Sequence, residues 1–348
     1  MNRKFVVLAG MLMIAGSTFA QQNDLVPFRD GSKWGFSTTD KKIVLKPKYS
    51  EVGWFSEGLA SVKVGNKWGY IDSKGKMVIP ARYTVAKPFR KGYMPDSKKE
   101  GGDSIIFAGA SLTADGYEIC ITNKGVRMPQ CPAIAESSVP NNKSLISGIQ
   151  VKKTYSMPGS QDLFDKITDD YMVKDNNETY YVAMKDNKFG VYNSKFETIV
   201  PFVYDSISVN KQAQTPYLQV TKGSLKGILL TDGTVGIEPD NTSLSSVNDD
   251  RNGMEYVIIK KGGQTYVRDI NNKPIISKGY ADIAYDKDGG FIITDASGKR
   301  GYHFADNHVI EPKYNSISLI DGGKYLMVVT PDGKTGYISE DGTEYFSN

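Results

Sequence analysis

The sequence predicts an all-β repeat protein, and three observations carry that expectation. A short segment around a Gly returns along the chain, a turn residue follows that Gly at a fixed distance, and a Pro then a Tyr come after each turn. Sustained helical periodicity is absent, while 35 Gly and 15 Pro among 348 residues supply the turns that many short strands need.

The recurring segment is Lys33-Trp34-Gly35-Phe36, which returns as Lys67-Trp68-Gly69-Tyr70. Weaker copies are Lys188-Phe189-Gly190-Val191, Lys226-Gly227-Ile228, Lys299-Arg300-Gly301-Tyr302 and Lys334-Thr335-Gly336-Tyr337, with a degenerate one at Gln264-Thr265-Tyr266-Val267. Gly35 to Gly69 is 34 residues, Gly190 to Gly227 is 37 and Gly301 to Gly336 is 35, the length of one supersecondary unit. The longer gap from Gly69 to Gly190 leaves room for two enlarged or decayed units, one around Tyr117–Pro129.

Each unit reads as strand, tight turn, strand, loop, strand. The turn residue stands six positions after the motif Gly, and in eight aligned hairpins it is Gly75, Gly125, Gly233, Gly342, Asn272, Asn307, Lys41 and Phe196. Six of these are Gly or Asn, the residues that tolerate the positive φ of a hairpin turn. After the second strand come Pro47 and Tyr49, Pro80 and Tyr83, Pro201 and Tyr204, and Pro312 and Tyr314. Proline donates nothing to a ladder, so it is expected to end that strand or lie on a sheet edge, with the Tyr tucked beneath the crossover. Third strands are expected at Leu59–Val64, Tyr217–Val220, Tyr256–Ile259, Phe291–Thr294 and Tyr325–Val329. The motif Gly marks a close approach of a neighbouring backbone or ring.

These residues resemble the WG-repeat family of bacterial proteins, most specifically over 33–92, less so over 187–348 and poorly over 93–186. The resemblance implies an all-β repeat array and often export. It implies no chemistry and no catalytic residue. The structural motif positions are Trp34, Gly35, Trp68, Gly69, Gly75, Phe189, Gly190, Gly227, Gly301 and Gly336. About eight units are expected. Val26–Val44 and Thr335–Phe346 both read as terminal hairpins, so the ends duplicate each other, which favours an open twisted solenoid over a closed propeller.

Asn2-Arg3-Lys4, the apolar run Phe5–Phe19 and the small-residue site ending at Ala20 read as a signal peptide of residues 1–20. The run falls short of the roughly 20 residues a membrane span requires, and no Cys stands at the cleavage point. Secretion or a periplasmic location follows, with segments 21–92, 93–186 and 187–348 beyond the leader. The net charge of +4 includes the leader's Arg3 and Lys4, and no basic block with interleaved aromatics suggests a nucleic-acid partner. Cys120 and Cys131 are the only cysteines, and in an oxidising compartment they either pair or stand as two unrelated thiols.

No catalytic residue, metal site or cofactor is implied. His303 and His308, the only histidines, read as exposed turn residues flanking Asp306. Asp169-Asp170, Asp249-Asp250 and Glu340-Asp341 read as loop or turn carboxylates. Of the three tryptophans, Trp34 and Trp68 occupy equivalent motif positions and are expected in the core, which leaves Trp54 as the candidate binding residue. The expected function is a non-enzymatic binding or scaffold protein of the cell envelope with a protein or glycan partner. The alternative is an exported hydrolase that works through two carboxylates, for example on glycans.

Overall fold

A computed structural model describes residues 25–93, 104–113, 118–133, 164–173, 178–211, 213, 216–320 and 323–347; the expected signal peptide of residues 1–20 lies outside these residues. Every regular element among them is a strand. The strands form eight sheets, seven of four strands and one of three, and none closes into a barrel.

The first sheet holds β1 (Val26–Asp30), β2 (Lys33–Ser37) and β3 (Ile43–Tyr49), and the second holds β4 (Glu51–Val52), β5 (Leu59–Val64), β6 (Lys67–Asp72) and β7 (Met77–Tyr83). The third consists of β8 (Val85–Ala86), β9 (Arg90–Tyr93), β10 (Ser104–Ser111) and β11 (Glu118–Thr122). The fourth follows with β12 (Lys166–Val173), β13 (Glu178–Lys185), β14 (Lys188–Asn193) and β15 (Thr198–Tyr204). Next come β16 (Ser206–Asn210), β17 (Tyr217–Lys222), β18 (Leu225–Leu230) and β19 (Val235–Asn241), then β20 (Ser243–Asp249), β21 (Met254–Lys261), β22 (Gln264–Arg268) and β23 (Pro274–Tyr280). The seventh sheet is β24 (Asp282–Asp286), β25 (Gly290–Thr294), β26 (Arg300–Phe304) and β27 (Val309–Tyr314). The eighth is β28 (Ser316–Leu319), β29 (Tyr325–Val329) and β30 (Thr335–Ser339). Two compact units result: described residues 25–133 with 345–347 in one, and 164–344 in the other.

The repeat in the sequence is out of phase with the sheets. The expected third strand of each unit pairs with the motif strand of the following unit, as Val62 does with Gly69. A strand immediately after the arch Tyr completes the sheet, as β4, β16, β24 and β28 do and as β20 does after Asn241, and the sequence reading has no such strand. The C-terminal end differs from expectation in the same way. Thr335–Ser339 is paired as expected and Ile338 bridges Glu344, but β31 (Phe346–Ser347) leaves that hairpin and adds in parallel to β1. The last strand therefore completes the first sheet, so the ends do not simply duplicate each other.

All eight turn positions adopt positive φ, from 64° at Lys41 to 86° at Gly233, and Phe196 does so at 66° despite its ring. Each donates its N–H to the carbonyl three residues earlier, at 2.8–3.1 Å. In several turns that earlier residue also braces the loop with its side chain: Asp72 Oδ1 accepts from the N–H groups of Lys74 and Lys76.

The motif Gly has a specific steric reason. In the first sheet Trp34 pairs with Tyr49 and Phe36 with Leu45, so Gly35 alone faces Lys46, Pro47 and Lys48. The edge strand arches over the glycine as a wide bulge. A Cβ at Gly69 would lie 2.6 Å from the Ile79 carbonyl oxygen, and the same contact recurs at Gly190 with Val200, Gly227 with Ile237 and Gly301 with Ile310. Proline does not end these strands: Pro47, Pro80, Pro201, Pro239 and Pro312 lie within them, at the arch of an edge strand, where no ladder bond is lost. The sixth sheet shows the rule by its exception. Tyr266 replaces the motif glycine there, and the arch opposite it carries Gly279 and no proline.

The core lies between successive sheets. The residue after the motif Gly (Phe36, Tyr70, Val191, Ile228, Tyr302), and Val267 at the same place after Tyr266, is fully buried, whereas Tyr337 in the eighth sheet is half-buried. The arch tyrosines Tyr49, Tyr83, Tyr204, Tyr280 and Tyr314 are also buried, between 1% and 8% exposed.

Candidate ligand-binding grooves

The arch brings the end of one sheet against a turn of the next. Immediately after the arch Tyr the backbone N–H donates to the following sheet's own second strand: Ser50 to Lys63 at 3.3 Å, Ala281 to Thr294 at 2.9 Å, Asn315 to Val329 at 2.7 Å. Beside this crossover a groove opens between sheets. Three such grooves have nearly the same size, about 440 Å³ between the first and second sheets, about 460 Å³ between the fifth and sixth, and about 420 Å³ between the sixth and seventh.

The frame is shared and the lining is not. The first groove is lined by Lys33, Lys48 and Lys63 with Tyr49, Val64 and Met77, and by no carboxylate. Lys63 pairs with Glu51 outside the lining at 2.5 Å and holds its amine 5.7 Å from the Trp68 ring. Lys48 sits 5.1 Å over the Tyr49 ring. The second groove balances Glu238 and Asp240 against Lys261 and Arg268, with Lys261 paired to Asp240. The third contains Lys278, Asp295 and Glu311. Lys278 bonds Glu311 at 2.9 Å, which raises the pKa of its amine. The Ser297 hydroxyl and nearby backbone N–H groups hold the Asp295 carboxyl below its usual value.

Among the residues singled out in the sequence, Lys33, Tyr49 and Gly75 reach the first groove, whereas Trp54 does not. Trp54 is half-buried in the crossover before β5, next to Phe55, whose ring packs 4.8 Å from Phe36. Trp34 and Trp68 are not core residues: both are half-buried, and Trp68 packs on the rim of a cluster built from Tyr70, Ile79 and Tyr83. Strand alternation puts each Trp on the same face as the aromatic two residues on, but the Trp pairs with the arch tyrosine at the end of the sheet, at the margin of the cluster that buries its neighbour.

Cys120 and Cys131 form a disulfide with Cα atoms 5.2 Å apart. The hairpin at Gly125 makes this possible: Met128 donates its N–H to the Cys120 carbonyl, and three further residues bring Cys131 back over β11. His303 differs from the sequence expectation, since it lies in β26, 8% exposed, with Nδ1 3.0 Å from the Phe304 carbonyl oxygen. Burial lowers its pKa. His308 is the exposed one. Asp249 is likewise buried, gripped by the Arg251 guanidinium at 2.9 and 2.7 Å, and Arg251 holds its carboxyl below the usual range. Asp169 and Asp170 share Lys211, and Asp341 caps its own turn. Among the described residues no cluster of His, Cys, Asp or Glu is placed to ligate a metal. A feature without any signal in the sequence is a stack of rings on the fourth sheet, where Tyr192 lies between Phe164 at 4.1 Å and Tyr181 at 5.4 Å.

Fold and grooves together define an all-β repeat protein of antiparallel four-stranded sheets with sequence-variable inter-sheet grooves. The family of the WG containing repeat matches residues 34–68, 68–94 and 189–212, which span the first two motif units and a stretch from β14 to β16. No curated protein matches the chain. Solved structures with loose likeness include a dihydro-heme d1 dehydrogenase, NirN, in complex with DHE (12% identity, 91% of this chain and 71% of that one, TM-score 0.30). Others are the Dos1 propeller (12%, 93% and 98%, 0.26) and PorZ, a surface component of the type-IX secretion system of Porphyromonas gingivalis (10%, 92% and 39%, 0.24). Likeness at this level transfers no activity.

Proposed function

We propose that this chain is an exported, non-enzymatic binding or scaffold protein of the bacterial cell envelope. The observation that carries the reading is the contrast between a constant frame and a variable lining. Three grooves of similar volume repeat the same arch and crossover, yet their charges run from three lysines to a mixed set. Repeat arrays bind in this manner, with the scaffold conserved by packing and the exposed positions free to vary. The amino-terminal segment supports export, and a cystine suits an oxidising compartment.

The hydrolase alternative needs two carboxylates in one cleft, one of them with a raised pKa. Asp295 and Glu311 do share the third groove, but Asp295 is shifted downward and Glu311 is engaged by Lys278. Sequencing the amino terminus of protein recovered from the periplasm or medium tests export, with Gln21 expected as the first residue. Immobilised mature protein should retain an envelope component without turning over glycan substrates. Retention of Met1, or turnover abolished by Glu311→Gln, overturns the reading.

A further inference from the structure

We infer that the groove between the first and second sheets docks an acidic peptide segment that also carries aliphatic side chains. The inference rests on the binding reading above and names the ligand class for one of its grooves. The comparison among grooves is the first support. Where the second and third grooves neutralise their cations internally, the first places Lys33, Lys48 and Lys63 in one lining with no carboxylate. Among the described residues no carboxylate pairs with Lys33 or Lys48, so their ammonium groups are open to an external anion.

The rest of the lining selects among anions. Val64 and Met77, the aliphatic side chains of the lining, are 49% and 37% exposed. A ligand with carboxylates alone would leave that surface in water. The one ring in the lining, Tyr49, is 5% exposed and has Lys48 above it, so no open aromatic face is present for a sugar to stack on. Strand addition is also blocked. Pro47 and Pro80 lack N–H groups, and the arches bend both edge strands away from a regular ladder. Recognition is then by side chains, carboxylates to lysines and aliphatic groups to Val64 and Met77.

The test uses the full mature chain and a fluorescein-labelled peptide of alternating Asp and Leu, read by anisotropy. An otherwise identical Asn/Leu peptide and unlabelled polygalacturonate serve as comparison ligands. The Asp/Leu peptide should bind about tenfold or more tightly than the Asn/Leu peptide, and weaken as salt is raised. The double variant Lys33→Glu/Lys48→Glu should lose about tenfold or more in affinity with an unchanged melting temperature. Lys33→Gln/Lys48→Gln should lose less, and Lys222→Glu/Lys287→Glu should lose nothing. Equal affinity of the charge-reversed and parent proteins, preference for polygalacturonate over the peptide, or no binding of the Asp/Leu peptide would each overturn the inference. If the charge-reversed protein still retains its envelope component, the inference fails while the binding reading stands.

Discussion

Gly35 and Pro47 face each other across the first sheet so closely that a Cβ on the glycine would lie 2.6 Å from the proline nitrogen. It would also lie 2.2 Å from the Leu45 carbonyl oxygen, and both neighbours are backbone that cannot rotate aside. The Trp-Gly motif is thus one half of a contact whose other half is the proline arch.

Gly35→Ala is expected to destabilise the amino-terminal unit by about 2–3 kcal/mol, because backbone must move to admit the methyl group. Gly31→Ala, at φ 55° with nothing near its Cβ position, should cost only the left-handed conformation, about 1 kcal/mol. Urea denaturation of the two variants checks the order. Equal midpoints would mean that the arch gives way.

The turn column supplies a paired test. Gly75 has φ 80° and a Cβ there would meet Leu45 Cδ2 at 2.9 Å, so Gly75→Val combines strain with a clash. A loss of about 2–4 kcal/mol is expected. Lys41, exposed at φ 64°, carries a side chain in the same conformation, and Lys41→Gly should gain up to about 1 kcal/mol. Thermal melts of both should move in opposite directions.

Breaking the Cys120–Cys131 bond opens a loop with a sequence separation of 11. The chain-entropy estimate for such a loop is about 2–3 kcal/mol. Ala133 and Tyr93 exchange both backbone hydrogen bonds just beyond Cys131, so reduction should loosen that pairing first. Hydrogen exchange with and without reductant should show Tyr93 and Ala133 losing protection before Ile121.

Burial holds His303 neutral in the folded protein by lowering its pKa, while the unfolded chain retains the ordinary value near 6.5. The unfolded state then binds more protons as pH falls below that value, so stability declines with acidity through this window and is intact above it. His303→Gln should flatten the decline between about pH 6.5 and 5 relative to the parent. A parallel pH profile for the two proteins would show that His303 plays no part in it.

The positions legible in the sequence are those where the reason is local. A turn that needs positive φ favours Gly or Asn, so the column from Lys41 to Gly342 could be aligned by its fixed spacing from the motif Gly and checked by residue type at six of its eight positions. The proline and the arch Tyr recur for the same kind of reason. Trp34 and Trp68 were harder, since equivalence along the chain fixes a register but not how far the neighbouring sheet extends over that position. His303 followed a turn-like pattern with Asp306, yet it lies inside β26, where a neighbouring sheet removes it from water.

By itself the sequence determined the all-β class, the hairpin register and the eight turns, because each depends on the backbone preferences of a few adjacent residues. Only the tertiary structure decided which strands share a sheet. Pairing of β31 with β1 is set by burial between segments that no local preference connects. The first groove belongs to the same category. Lys33, Lys48 and Lys63 lie on three different strands, and their charges become one site only because the arch carries the end of β3 across to the turn after β5.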